Sequence, residues 1–180
     1  MYGIEKIQGE YIGLGVMFCE NEDTKKVTDF WVQMIRLLEQ KNIKWKMFCN
    51  GAIEDYNYGC HVLEQMNLNV SEYICDYPKT PEELVRQISG FSSLISFRLH
   101  SHIIATSLDI PAVSLVWDKK VRFFYQHLKH EERCKTVCDS AESVFMALQL
   151  AKEQGYDRAL IDKQKHFARE LLLETMKQEL

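Results

Sequence analysis

Short apolar runs of strand character alternate along the chain with segments whose apolar residues recur at helical spacing. The runs lie at residues 11–19, 43–49, 72–75, 94–97, 112–116 and 136–137. Helical patterns follow them at residues 27–38, 53–66, 80–90, 100–108, 119–128 and 141–151. Six strand-helix units in series predict a doubly wound α/β fold, with a mainly parallel six-stranded sheet and helices on both faces.

The segment TPEELVRQISG contains its own start and stop signals for a helix. Thr80 suits the N-cap, Pro81 the first helical position and Glu83 the capping-box position. Gly90 is typical of the C-terminal end. These signals predict a helix bounded by Thr80 and Gly90.

The pattern divides the chain into three parts. Residues 1–10 are predicted to be a lead-in, and residues 11–155 a single Rossmann-like domain. Residues 156–180 are rich in Lys, Gln, Glu and Leu, with apolar residues loosely at helical period, which predicts a long C-terminal helix. We expect this helix to pack on the domain or to reach towards a second domain.

Charge and hydropathy exclude several classes of partner. The formal net charge of −4 leaves no basic patch for nucleic acid or an anionic membrane. No stretch approaches the roughly 18 continuous apolar residues of a membrane span. The N-terminal residues MYGIEKIQGE also lack the pattern of a secretory signal. We therefore expect a cytoplasmic protein.

Two further motifs point to packing rather than chemistry. Several of the six cysteines lie inside apolar runs, which predicts buried thiols. Cys134 and Cys138 are four residues apart without a second pair, so no metal site is predicted. Gly13 and Gly15 are not followed by a third glycine that opens a helix, so a dinucleotide-binding fingerprint is not predicted.

Candidate chemistry is concentrated in residues 92–128. Arg98 and His100 follow an apolar strand at the point where a helix begins, and ligands of doubly wound sheets bind at the carboxyl ends of strands. The N-H groups and dipole of a helix N-terminus attract phosphate or carboxylate, and a guanidinium binds either group with two parallel hydrogen bonds. This position is therefore suited to a doubly charged anion.

The next predicted strand also ends in charged residues. Trp117, Asp118, Lys119 and Lys120 follow it directly. Because adjacent units of this kind face one cleft, Lys120 is expected to converge with Arg98 and His100. Asp118 is favoured as the cap of the following helix, with orientation of Lys120 as the alternative.

The string FRLHSHIIATSLDIPAVSLVWDKKV resembles the polysaccharide pyruvyl transferase family. The family pattern has a strand leading to Arg-Leu-His, a helix of small residues, a turn with proline into a strand, and an aromatic-Asp-Pro-Lys-Val segment. Residues 78–128 match it well. Lys119 stands where the family usually has proline, whereas Asp118, Lys120 and Val121 match.

The resemblance implies the donor-side, glycosyltransferase-B-like half of an enzyme that moves pyruvate from phosphoenolpyruvate onto a sugar as a ketal. It implies that Arg98 binds phosphate or carboxylate, that Lys120 neutralises remaining charge, and that Asp118 belongs to the substrate-binding residues. His100 would act as general acid and base or as a donor to phosphate, and Ser101 would donate a further hydrogen bond. The implied partners are phosphoenolpyruvate as donor substrate with no cofactor, a glycan or lipid-linked sugar acceptor, and a missing N-terminal domain or partner chain.

Two other functions remain open from the residues. The same fold could be the nucleotide-sugar-binding half of a glycosyltransferase, with Glu20, Glu22 or Glu54 near the ribose. A non-catalytic single-domain relative that serves in interaction or regulation is the third interpretation. Binding of phosphoenolpyruvate as against uridine diphosphate distinguishes the first two.

Overall fold

The computed structural model describes residues 9–19 and 23–178. These residues form strands and helices in an alternating order. Named along the chain, the elements are β1 (Tyr11–Gly15), α1 (Asp23–Gln40), β2 (Trp45–Phe48), α2 (Ile53–Gln65), α3 (Val70–Tyr73), α4 (Pro81–Ser89), β3 (Phe91–Ser96), α5 (Leu99–Ser107), β4 (Ala112–Leu115), α6 (Lys119–His127), β5 (Cys134–Lys135), α7 (Ala141–Gln154) and α8 (Arg158–Gln178). A single 3₁₀ turn, Glu131–Arg133, precedes β5.

The strands form one parallel sheet in the order β2-β1-β3-β4-β5. In the central register Leu14 of β1 lies between Met47 of β2 and Ile95 of β3. Ile95 in turn lies opposite Val113 of β4. The doubly wound α/β class predicted from the sequence is confirmed.

Consecutive strand residues face opposite layers of helices, as the period of two in a strand requires. Ile95 and Val113 belong to the cluster that contains the buried residues of α1 and α7. Their neighbours Leu94 and Ala112 belong to a second cluster, which contains buried residues of α4 and α5. Burial on both faces explains why the strands read as continuous apolar runs.

The two glycines of β1 make room for large side chains on one face of the sheet. A Cβ atom on Gly13 would lie 2.5 Å from the ring of Phe91. A Cβ atom on Gly15 would lie 2.2 Å from Ser96 Oγ and 2.8 Å from the ring of Phe48. The GLG motif therefore serves packing at the centre of the sheet.

The predicted sixth strand at residues 72–75 is wrong. The side chain of Asn69 accepts a hydrogen bond from the Ser71 amide and begins the one-turn helix α3, which uses residues up to Tyr73. Only Ile74 then pairs with the sheet, through an isolated bridge to Met47. The apolar run is too short to supply both a helical turn and a strand, so the sheet has five strands.

The last strand also differs from the prediction. It was expected at residues 136–137 but lies at Cys134–Lys135. Thr136 instead begins a turn in which its amide and hydroxyl both donate to the Asp139 carboxylate, at 2.8 and 2.9 Å. This local pairing competes with strand hydrogen bonds, as is typical of Thr and Asp.

The helix boundaries predicted for α4 are confirmed. Thr80 Oγ1 accepts a hydrogen bond from the Glu83 amide at 3.2 Å, and Pro81 is the first helical residue. The Glu83 carboxylate accepts from the amide of Lys79, one residue before the position that the capping box predicts. Gly90 is the C-cap.

The C-terminal helix α8 is anchored at its beginning. Ile161 is buried in a cluster with residues of α6 and with Tyr156. Beyond this turn the helix exposes five large apolar side chains: Phe167, Leu171, Leu172, Leu173 and Met176. That this face packs towards a second domain stays a prediction.

Two expectations from composition concern membrane spans and cysteines. Among the helices of the described ranges, none is both long and apolar enough to cross a bilayer. All six cysteines lie in those ranges, and none forms a disulfide. The expectation that they are buried holds fully only for Cys49, because four are half-buried and Cys138 is exposed.

Candidate functional site

The parallel sheet brings the chain segments that follow its strands to one edge. Asn50 follows β2 by two residues, Arg98 follows β3 by two residues, and Asp118 follows β4 by three residues. Strands β1, β3 and β4 are neighbours in the sheet, with β2 beside β1. Candidate chemistry therefore lies at the carboxyl edge, where doubly wound sheets bind ligands.

Arg98 is held by a buried carboxylate. Its Nε donates to Asp55 Oδ2 at 2.9 Å and its Nη2 to Asp55 Oδ1 at 2.8 Å. Asp55, in the first turn of α2, is fully buried and also accepts a hydrogen bond from the Phe18 amide at 2.9 Å. The arginine side chain is 32% exposed, and its Nη1 has no partner among the described residues. The guanidinium is thus fixed in position with one nitrogen still unengaged.

The N-terminus of α5 has no side-chain cap. Its N-cap is Arg98, whose side chain makes no capping bond, and its first turn contains no acidic residue. By contrast, α4, α6 and α7 are capped by Thr80, Asp118 and Ser140. The first amides of α5 therefore point out of the helix without an intrahelical acceptor, next to the positive end of the dipole. Such an end binds anions.

His100 is the second residue of α5 and is exposed. It lines a cavity of about 560 Å³ between the end of β2, the start of α4 and α5. The residue is therefore accessible to a ligand at the start of α5, as the sequence predicted for its position.

Ser101 lies one residue further along α5 and is fully buried. Its hydroxyl donates to Asn50 Oδ1 at 2.8 Å and accepts from Ser96 Oγ at 3.0 Å. A direct hydrogen bond from Ser101 to substrate, as predicted, would require breaking the bond to Asn50. The serine instead fixes the side chain of Asn50, which does line the cavity.

His102 is fully buried and joins three elements. One ring nitrogen, Nε2, lies 2.9 Å from the carbonyl oxygen of Ser96, and the other, Nδ1, lies 3.0 Å from the hydroxyl of Tyr125 in α6. A carbonyl only accepts, so Nε2 donates to Ser96, and Nδ1 faces the Tyr125 hydroxyl, which also lies 3.2 Å from the Ala112 carbonyl oxygen. Burial lowers the pKa of His102 to about 4, so the ring is neutral at physiological pH.

Asp118 and Lys120 occupy the start of α6. Asp118 Oδ1 accepts from the Lys120 amide at 2.9 Å, which confirms the cap favoured from the sequence. The other oxygen, Oδ2, lies 3.9 Å from Lys120 Nζ, and the lysine side chain is 78% exposed. In the described part of the chain no hydrogen bond or ion pair joins Lys120 to Arg98 or His100. Convergence of the three cations stays a prediction.

The remaining candidates are placed as follows. Trp117, beside Asp118, is exposed. Glu54 is exposed in the first turn of α2, next to Asp55. Glu20 and Glu22 lie outside the described residues. Within those residues no group of three or more His, Cys, Asp and Glu side chains is arranged to hold a metal ion.

Sequence reasoning missed Asp55 and Asn50. Asn50 was detectable, because it is a polar residue directly after a strand, the same signal that identified Arg98. Asp55 carried no comparable signal, since an acidic residue in the first turn of a helix is commonly explained by the helix dipole. Its pairing with Arg98, 43 residues away, emerges only from the fold.

One protein family matches the part of the chain that contains most of these residues. The sequence model of the family described as Polysaccharide pyruvyl transferase matches residues 16–119, more than half of the chain. The match includes Asn50, Asp55, Arg98 and His100 and ends one residue before Lys120. No curated protein sequence matches the chain.

The heptosyltransferase structure among those similar to the chain shows the same fold. E. coli heptosyltransferase WaaC with ADP superposes with a TM-score of 0.55 at 16% identity, over 83% of this chain and 46% of that chain. An O-GlcNAc transferase variant from Thermobaculum terrenum has a TM-score of 0.49 at 15% identity, over 92% of this chain and 32% of that one. The chain therefore spans about half the length of the heptosyltransferase.

Proposed function

Because the chain belongs to the polysaccharide pyruvyl transferase family, we propose that it binds phosphoenolpyruvate and forms the donor side of a site that transfers pyruvate onto a sugar. The observation that carries this proposal is the position of Arg98. It is oriented by the buried Asp55, keeps one nitrogen unengaged, and adjoins the uncapped N-terminus of α5.

The anion is bound by three kinds of donor. The amides of Leu99 and His100 lie at the positive end of α5 and receive one charged group of phosphoenolpyruvate. Arg98 Nη1 donates to the same group or to the second one, because the two bonds to Asp55 use only Nε and Nη2. Lys120, on the next helix, reaches towards the remaining charge, with Asp118 holding its backbone in place.

The proposed reaction conserves atoms and electrons without a cofactor. The methylene carbon of phosphoenolpyruvate takes a proton, and a sugar hydroxyl adds to C2 and loses its own proton. The bond between C2 and the phosphate oxygen then breaks, and phosphate leaves with the electron pair. A second hydroxyl adds to C2 and loses its proton. The products are the cyclic ketal and inorganic phosphate, with no change of oxidation state.

His100 is the residue proposed to move protons in these steps. Histidine side chains act as both acid and base near neutral pH, and His100 is exposed beside the proposed anion site. Ser101 contributes through Asn50, whose oxygen it holds. The residues thus divide into those that bind charge and one that exchanges protons.

The proposed reaction also needs partners beyond this domain. A glycan or lipid-linked sugar supplies the two hydroxyls. A second domain or partner chain would complete the cleft, since ligand sites are common between domains. The exposed apolar face of α8 is the surface that we propose for that contact.

Isothermal titration with phosphoenolpyruvate and with uridine diphosphate tests the proposal. We expect phosphoenolpyruvate to bind and uridine diphosphate to bind at least tenfold more weakly, about 1.4 kcal/mol. His100→Gln is expected to retain binding within about threefold, yet to abolish phosphate release in the presence of the second domain and acceptor, because glutamine donates a hydrogen bond but exchanges no proton. Preference for uridine diphosphate would favour the nucleotide-sugar function, and failure of both ligands would favour a non-catalytic relative.

A further inference from the structure

The cavity beside His100 has a mixed lining. It lies between the end of β2, the segment before α4, and one side of α4 and α5, and its volume is about 560 Å³. This is within the usual range for small-molecule sites and far larger than phosphoenolpyruvate requires. The donor substrate alone therefore does not account for it.

One part of the lining is apolar and rigid. Pro78 and Pro81 supply rings, and aliphatic side chains from α4 and α5 continue the wall: Leu84, Val85 and Ile104. Tyr77 is fixed in orientation, because its hydroxyl donates to the Gly51 carbonyl at 2.6 Å and its ring packs edge-on against Tyr56.

The other part of the lining supplies hydrogen-bonding groups without negative charge. Asn50, Lys79, Thr80 and His100 line the cavity, and no Asp or Glu side chain does. The amide of Asn50 is oriented by the hydroxyl of Ser101. The cavity thus offers polar groups beside apolar ones.

We propose that this cavity binds a pyranose ring of the sugar acceptor. A pyranose combines an apolar face of C-H groups with a rim of hydroxyls, which matches a lining that contains both proline and tyrosine rings and amide, ammonium and hydroxyl groups. The inference rests on the proposed function, since it is His100, at the boundary between this cavity and the start of α5, that would take the proton from an acceptor hydroxyl. Arg98, paired with α2, would hold the donor on the other side of that helix start.

Filling the cavity tests this inference on the complete chain. Val85 is half-buried in the wall, so Val85→Trp adds bulk to the cavity without replacing a core side chain. The probes are methyl β-D-glucopyranoside and methyl β-D-galactopyranoside, followed by saturation-transfer NMR, and phosphoenolpyruvate, followed by calorimetry. We expect Val85→Trp to weaken glycoside binding at least tenfold and to change phosphoenolpyruvate affinity less than twofold.

Two further variants show whether an effect of Val85→Trp comes from the cavity. Met146→Trp adds the same side chain at an exposed position of α7, so it is expected to leave both ligands unaffected. Tyr77→Ala removes part of the wall instead of filling the cavity, and is expected to weaken glycoside binding about five- to tenfold, which guards against misfolding of Val85→Trp.

The outcomes separate this inference from the proposed function. Phosphoenolpyruvate binding with no glycoside binding, or with glycoside binding that neither cavity variant weakens, overturns the acceptor assignment and leaves the proposed function standing. If uridine diphosphate displaces the glycoside and Val85→Trp weakens nucleotide binding, the acceptor assignment is overturned in favour of a nucleoside site. If the chain does not bind phosphoenolpyruvate and both cavity variants lose glycoside binding, the sugar site stands. The proposed donor substrate is then contradicted.

Discussion

Arg98→Ala is expected to weaken phosphoenolpyruvate binding by roughly 10- to 100-fold. A hydrogen bond to a charged group contributes about 1.5 to 3 kcal/mol, and each 1.4 kcal/mol corresponds to a factor of ten in affinity. The substitution removes a side chain that is anchored by a buried carboxylate and that keeps Nη1 without a partner among the described residues. Calorimetric titration of the variant measures the loss directly.

The same substitution is expected to destabilise the domain, because it leaves the buried Asp55 carboxyl without its partner cation. Removing one member of a buried pair costs roughly 3 to 5 kcal/mol, and the partial exposure of Arg98 places the expected loss near the lower end. Urea unfolding measures it. Arg36→Ala, at an exposed position of α1, is the matched control and is expected to change neither quantity.

Arg98→Lys separates charge from geometry. Lysine keeps the positive charge but cannot donate two parallel bonds to Asp55, so the ammonium is no longer held at the start of α5. We expect most of the affinity loss of Arg98→Ala to persist. Full affinity in both folded variants would show that Arg98 is a structural partner of Asp55 and that the anion binds elsewhere.

The stability of the domain is expected to fall by roughly 2 to 3 kcal/mol between about pH 7 and pH 4.5 on account of His102 alone. The ordinary pKa of a histidine is 6.5, and burial lowers the pKa of His102 to about 4 in the folded protein because it disfavours the charged ring. Between these values the unfolded chain binds a proton that the folded chain does not, so stability is complete above pH 6.5, decreases as pH falls, and levels off below about 4.

His102→Gln isolates this contribution from the carboxylates that titrate in the same range, such as Glu132, whose pKa is lowered mainly by its hydrogen bond to His130. Glutamine can still donate to the Ser96 carbonyl, but it has no proton to gain. We expect the variant to be less stable at pH 7 and to lose about 2 kcal/mol less on acidification. Parallel pH profiles for the two proteins would contradict the buried neutral ring.

Local signals predicted the parts of the fold that local interactions determine. Helix α4 follows from Thr80, Pro81 and Gly90, each of which acts within one turn. The strand at residues 72–75 could not be rejected this way, because Asn69 and a short apolar run compete for the same residues. The outcome depends on how much of the run can pair with β2.

The candidate site likewise combines residues that the sequence identified with partners that only the fold brings close. Arg98 and His100 were identified from their place after a strand and from the family pattern, and the structure puts both at the start of α5. The partners that hold residues of this part of the chain come from distant segments: Asp55 of α2 bonds Arg98, and Tyr125 of α6 bonds His102. No local sequence pattern identifies such pairs, because the order of strands in the sheet determines which distant residues meet.

Amide chemical shifts test most directly whether the start of α5 binds the donor. We predict that titrating ¹⁵N-labelled protein with phosphoenolpyruvate produces its largest shifts at the Leu99 and His100 amides, with smaller changes at the capped start of α6. Inorganic phosphate is expected to shift the same two amides less. Saturable shifts centred on another part of the sheet edge, with Leu99 and His100 unchanged, would contradict the account.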